Sequence, residues 1–232
     1  MIEDPPLLTI RRQAGRPAAA LLAPFRDATT GWLVDAMGGR GAMQAEIGAL
    51  APELSAMARC FGPALTCWCG PNDNLALMAA VALAEPGDVI VAAAEGFAQA
   101  GMAGDLVAGM ARNRGVAAIV TDGMVRDRAG LVGVGLPVFC RGVTPNSCVR
   151  NGPGSVGLPV VAGGVPVATG DLVLGDTDGV VVVAQARIAA IGDRLAAIRA
   201  AEREAEAAVA AGATALPAID TLLASPHVRW LE

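Results

Sequence analysis

The chemistry open to this chain is bounded first by what it lacks. All 17 basic residues are arginine, there is no lysine or tyrosine, and the single histidine is His227, near the end. A Schiff-base or pyridoxal mechanism needs a lysine amine, a phosphate-binding P-loop needs its lysine, and serine or cysteine hydrolases need a positioned histidine. Carboxylates, arginine, backbone amides and water are left. The spacing that stands out is Asp105 followed, after 20 intervening residues, by Arg126-Asp127. Gly104-Asp105-Leu106-Val107 sits where a loop feeds a helix, and free amides at a helix start suit an anion, although Asp105 reads equally as a plain N-cap. Arg126 has the planar fork that grips a carboxylate, and the neighbouring Asp127 can ligate a hard cation. As a bare dipeptide the pair reads as a surface ion pair.

The elements that must position these residues alternate. Thr29 and Thr30 precede a short helix through Trp32, Val34 and Met37, stopped by Gly38-Gly39. Asn74 to Glu85 reads as a buried helix ended by Pro86-Gly87, with a strand at Val89 to Ala92. A helix over Asp105 to Arg114 leads into the buried strand Val116 to Thr121, whose register returns Arg126-Asp127 to the helix start. Further strands are expected at Leu136 to Cys140, Val156 to Val161, Val165 to Val167, Leu172 to Leu174 and Val180 to Val183. Strands are thus expected mainly in the second half, in a mixed α/β fold. From Arg187 to Ala211 the pattern turns alanine-rich, with Ile188, Ile191, Leu195 and Ile198 forming one apolar stripe opposite a charged face. This gives a core domain over residues 1-186 and a C-terminal helical extension over 187-232, docked on the core or on a neighbouring subunit.

Composition excludes several partners. A net charge of -5 and a pI near 4.9 give no basic field for nucleic acid. The sequence is 54% hydrophobic, but its longest uncharged stretch, Asn151 to Gly170, is broken by Pro153, Pro159 and Pro166, so no membrane span is expected. Glu3, Asp4, Pro5 and Pro6 provide no basic leader, and the expected location is the cytoplasm. Five cysteines, Cys60, Cys67, Cys69, Cys140 and Cys148, fit a reducing compartment. Cys67-Trp68-Cys69 alternates as a strand does and reads as buried thiols. The Gly-Asp pairs at Gly170-Asp171 and Gly175-Asp176 read as turn formers.

Asp105-x20-Arg126-Asp127, preceded by PNDNLAL at Pro71 to Leu77 and followed by GGVPVATGDLVLGDTDGVVVV at Gly163 to Val183, resembles the RraA-like family of class II pyruvate aldolases. The resemblance runs from about Thr30 to Gly212. It implies an α/β fold with a layered, swivelling-type β/β/α core. It also implies a lyase acting on a small 2-oxo acid, by retro-aldol cleavage of 4-hydroxy-2-oxo acids and decarboxylation of oxaloacetate, both through a pyruvate enolate. By position, Gly104, Asp105, Leu106 and Val107 would line the substrate site, Arg126 would bind the substrate, Asp127 would hold Mg2+ or Mn2+, and Asp105 would act through water. Family aldolases resemble homotrimers or homohexamers in which a neighbour's C-terminal helix supplies a glutamate; Glu204 is the candidate. The family also includes a non-catalytic, protein-binding regulator of an RNA-processing enzyme, and the chain's length beyond the core favours the aldolase group.

Two positions depart from the aldolase pattern. Gly130 stands where an acid is usual, which points to weaker retro-aldol cleavage than decarboxylation, and Asn72 stands where glycine is common. Because the chain has no lysine, borohydride added with pyruvate should leave activity intact and trap no adduct by mass spectrometry; stoichiometric inactivation would overturn the exclusion of Schiff-base chemistry.

Overall fold

A computed structural model describes residues 4–12 and 15–231. In chain order the elements are β1 (Leu8–Ile10), α1 (Ala19–Leu22), α2 (Thr30–Ala36), β2 (Gly48–Ala49), β3 (Cys60–Trp68), α3 (Leu75–Leu83), β4 (Val89–Ala93) and β5 (Gly101–Ala103). There follow α4 (Asp105–Asn113), β6 (Ala118–Thr121), β7 (Met124–Val125), α5 (Arg128–Val134), β8 (Val138–Cys140), β9 (Gly142–Val143) and β10 (Gly154–Val156). The chain ends with β11 (Val160–Ala162), β12 (Val165–Val167), β13 (Leu172–Asp176), β14 (Gly179–Val183), α6 (Ile188–Ala210) and α7 (Pro217–Leu223).

The main sheet runs β1-β10-β3-β4-β6-β8-β2, with β3, β4, β6 and β8 mutually parallel. β13 joins it by pairing antiparallel with the first half of β3, from Cys60 to Pro63, and carries β14 on its other edge. β3 is therefore the strand on which the sheet divides. Alternation along β4 sets the layers: Ile90 and Ala92 face a core shared with α3 and α4, whereas Val89, Val91 and Ala93 face the hairpins β11–β12 and β13–β14. The valine run of β14 alternates in turn. Val180 and Val182 face β4, and Val181 and Val183 face α2 and α6 together with Ile188, Ile191 and Leu195. This is the expected α/β layering of sheet, hairpins and helices, closed on the far side by the C-terminal helix.

The apolar stripe of α6 lies where its spacing placed it, and Gly212 ends that helix with a φ of 95°. Three differences from the sequence reading have local causes. The run from Val156 to Val161 is two strands, because Gly157, at φ 81°, breaks the extension. The nine-residue β3 lies in the first half and was not expected as a whole, because Gly62 and Pro63 interrupt its apolar run in the sequence; nine of the fourteen strands, β6 to β14, lie in the second half as expected. Helices α5 and α7 fall outside the periodic patterns.

Asp176 is more than a turn former. Its carboxylate accepts the backbone amide and the hydroxyl of Thr30 at 2.8 and 2.7 Å, and the amide of Asp178 at 3.0 Å. Together with Thr29, whose hydroxyl accepts the amide of Trp32, it holds the start of α2 against β13. Asp171 acts similarly, accepting the amides of Ala168 and Gln185 at the two ends of the β13–β14 hairpin. Asp176→Ala leaves the buried Thr30 without its acceptor and should cost roughly 1–3 kcal/mol in urea unfolding; a loss below ~0.5 kcal/mol would remove Asp176 from this role.

Candidate active site

The second sheet, β5-β7-β9, is small and wholly parallel. Each strand delivers site residues just past its carboxyl end: Gly104 and Asp105 after β5, Arg126 and Asp127 after β7, and the loop bearing Ser147, Cys148 and Arg150 after β9. Ligands of open α/β sheets bind outside the carboxyl ends of the strands, and here a cleft of about 120 Å³ opens at that edge. It is lined by every residue of the Gly104-to-Val107 segment and by Arg126 and Asp127. Residues far apart in sequence therefore meet as the spacing implied. The volume is well below the ~300–1,000 Å³ of drug-sized pockets, which limits the occupant to a small molecule.

The approach of α4 to β7 is set by glycine. A Cβ at Gly104 would lie 2.5 Å from Oδ2 of Asp127 and 3.3 Å from Cγ of Arg126. Gly104, and not Asp105, is the N-cap of α4, and no side chain caps the helix. Asp105 is the first helical residue and accepts the Leu106 amide at 2.8 Å. Leu106 is exposed at the rim, and Val107 is buried in the core shared with α3.

Arg126 is tied to β5 by its amide, which donates to the Ala103 carbonyl at 2.9 Å. Its Nε donates to Oδ2 of Asp127 at 3.0 Å and its Nη1 to the Ser147 hydroxyl, which fixes the guanidinium plane and leaves Nη2 without a protein acceptor among the described residues. The dipeptide is an ion pair, as its bare sequence suggests, but one set in a cleft with both side chains partly exposed, 39% for Arg126 and 40% for Asp127. Asp127 holds a left-handed backbone, φ 57° and ψ 45°, immediately before α5. Such strain in a residue other than glycine is common at functional sites.

The cleft offers oxygen donors from two carboxylates, Asp105 and Asp127, and among the described residues no three His, Cys, Asp or Glu side chains converge to form a closed protein cage. That donor set fits Mg2+ or Mn2+, which take one or two carboxylates and complete their shell with water and substrate oxygens. Glu204 is exposed on α6, outside the cleft of its own protomer.

Both departures from the family pattern acquire a physical meaning. Asn72 has φ 58°, the left-handed region where glycine is the default and asparagine the usual alternative. Gly130 lies in α5 against Asp105: a Cβ there would come within 2.5 Å of Asp105 Oδ2 and 2.7 Å of its Cβ. An acid at 130 would thus displace Asp105 rather than simply add a proton acceptor. The sequence reading missed Asn74, Ser147, Cys148 and Arg150, all of which line the cleft. Only Asn74 carried a signal, as part of PNDN; the others lie in a loop without periodicity. The Cys67 and Cys69 thiols are buried, a hydrogen bond to Cys69 and burial pushing Cys67 well up. Cys148, at the cleft, is also raised, by burial.

Residues 30–182 match the RraA-like family, described as Aldolase/RraA. A relative from Halalkalibacterium halodurans, named "Putative 4-hydroxy-4-methyl-2-oxoglutarate aldolase", is 38% identical over 162 residues, 70% of this chain and 75% of that protein. Among solved structures, an uncharacterized protein from Pseudomonas syringae pv. tomato superposes with a TM-score of 0.76 at 28% identity, over 87% of this chain and 93% of its own. Streptomyces coelicolor RraAS2, described as an unusual member of the RNase ES inhibitor RraA family, gives 0.72 at 29% identity over 84% of this chain and 99% of its own. That inhibitor-family chain matches 84% of this one, so length alone does not assign the chain to the aldolase group. With the family match spanning most of the core and the fold shared throughout, the chain belongs to the RraA-like (Aldolase/RraA) family.

Proposed function

We propose that the protein is a divalent-metal-dependent lyase that cleaves small 4-hydroxy-2-oxo acids to pyruvate and decarboxylates oxaloacetate. The observation that carries this reading is the meeting of Asp105, Arg126 and Asp127 around one small cleft at the carboxyl edge of β5-β7-β9. The name of the Halalkalibacterium halodurans relative supports it.

Arg126, its plane fixed by Asp127 and Ser147, turns its unused Nη2 edge to the substrate carboxylate. Asp127 would hold the cation and Asp105, through water, would accept the proton of the 4-hydroxyl. The C3–C4 bond then breaks, its electron pair passing toward the 2-oxo group to give the pyruvate enolate. Oxaloacetate reaches the same enolate by losing carbon dioxide. Bound Mg2+ or Mn2+ supplies the positive charge that stabilises the developing enolate oxygen. Assembly as a homotrimer or homohexamer belongs to the proposal, since Glu204 can serve a cleft only from another copy. Exposed Leu216, Ile219, Leu222, Trp230 and Leu231 give the C-terminal extension an apolar surface suited to such packing. No described helix is long and apolar enough to cross a membrane; a cytoplasmic location is proposed from the sparse set of five cysteines, and the lack of nucleic-acid partners from the net charge of -5.

The second reading, a protein-binding regulator, is favoured by the likeness to RraAS2. Pyruvate release from oxaloacetate decides between them: turnover with Mg2+ is expected, and none at high protein concentration would favour the regulator. Turnover should vanish in EDTA and return with Mg2+ or Mn2+; an undiminished rate in chelator would defeat metal dependence. Arg126→Lys, which keeps the charge and loses the planar fork, should lower kcat/KM roughly a hundredfold. A near-wild-type value would reduce Arg126 to a structural role.

A further inference from the structure

A second cleft, of about 430 Å³, opens where β4, β6 and β8 of the main sheet end, and it shares no lining residue with the cleft at Arg126. Each of these strands delivers one charged residue just past its carboxyl end: Glu95 after β4, Asp122 after β6 and Arg141 after β8. Gln44, from the loop before β2, and Val161 and Gly164, from the β11–β12 hairpin, complete the walls. Open α/β sheets bind ligands at this edge, and the volume falls within the ~300–1,000 Å³ of small-molecule sites.

Of the three charges, only Asp122 is engaged within the protein. Its buried carboxylate accepts the amide of Ala94 at 2.6 Å and, more weakly, that of Gly163 at 3.4 Å, which ties the end of β4 to the hairpin turn. Arg141 is oriented by Gln44, whose Oε1 accepts Nη2 at 3.0 Å. Its Nε is buried without an acceptor, and no described carboxylate lies within ion-pairing distance of the guanidinium. That guanidinium lies beside Gly96, where a Cβ would come 3.7 Å from Nη2. Glu95 is the adjacent residue, yet its Oε1 accepts Nε1 of Trp68, at 3.0 Å, instead of Arg141. Its backbone is left-handed, φ 56°, which is uncommon outside glycine. A cation with a buried, unpaired nitrogen and an anion so near in the chain gain from neutralising one another, but here the indole bond keeps the carboxylate engaged elsewhere.

We infer that this cleft is a binding site for a small zwitterion of the α-amino acid type, which places its carboxylate on Arg141 and its ammonium on Glu95. A plain anion would meet the charges of Glu95 and Asp122, and a plain cation that of Arg141, so a ligand bearing both charges on one carbon is matched where neither alone is. The exposed Val161 offers its side chain an apolar wall. Gly96 keeps the guanidinium open to it: any other residue there would strain a φ of 69° and cover the cation. The inference goes beyond the lyase reading and does not depend on it.

The test is calorimetric titration of the full-length protein with L-alanine, propanoate and ethylamine, the last two being alanine without its ammonium and without its carboxylate. Alanine should bind, and each truncated ligand should bind roughly tenfold more weakly or worse, as expected for loss of one charge-assisted contact. Glu95→Gln, which keeps an acceptor for Trp68, and Arg141→Gln should each weaken alanine roughly tenfold, and Arg141→Lys should recover part of the affinity. Arg126→Lys should leave alanine binding in place, which separates this site from the cleft proposed for the lyase. No alanine binding, propanoate binding as tightly as alanine, or affinity lost in Arg126→Lys but kept in Arg141→Gln overturns the inference. So does a wild type that ignores alanine while Arg141→Gln changes its assembly by light scattering, since the charges would then serve a contact between copies. Because no turnover is read, alanine bound through Arg141 and Glu95 would uphold the inference even if oxaloacetate yielded no pyruvate.

Discussion

Where α4 begins, the backbone of Gly104 passes so near Asp127 that even a methyl group would enter the carboxylate. That approach, backed by the Arg126 amide donating to the Ala103 carbonyl, brings a helix terminus, an arginine and two aspartates into one cleft. The parallel ladder β5-β7-β9 exists in few residues and has little burial of its own beyond the shared core. It is held in place because β4, β6 and β8 of the main sheet feed it in sequence, β6 and β8 passing into β7 and β9 across two residues and one, and β4 into β5 across a seven-residue loop. The site is therefore an outgrowth of the larger sheet's order, and its precision derives from that sheet's packing between α3 and α4 on one face and two hairpins on the other.

Much of this could be read in the sequence, for identifiable reasons. The α6 stripe was legible because Ile188, Ile191 and Leu195 recur at helical spacing and are the residues that became buried. Asp105, Arg126 and Asp127 were legible because Asp105-x20-Arg126-Asp127, with PNDNLAL before it and the glycine- and valine-rich run after it, resembles the family's motif; helix α4 and strands β6 and β7 lie between them. Strand β3 was legible only at its end, in the alternation at Cys67-Trp68, since Gly62 and Pro63 break its propensity while tertiary pairing with β13 and β4 overrides it. Asn74 and Arg150 were hidden for another reason: 75 residues lie between them, and only the hydrogen-bonded seam between two loops joins them.

The layers also explain why the helical extension divides into two behaviours. The first half of α6 is buried against β13, β14 and α2, completing the core. Beyond Ile198 the chain buries little, and its apolar side chains face outward as far as Leu231. An extension of that kind stabilises the protomer at one end and leaves the other end to gain stability elsewhere, so folding of the core does not require its last turns to dock.

The crowding at Gly130 has a consequence for substitution. Asp105 fills the space that a side chain at 130 would otherwise take, so the two positions share one volume and cannot be varied independently. An acid at 130 beside Asp105 requires the Asp105 side chain to move, so the effects of substitutions at the two positions will not add.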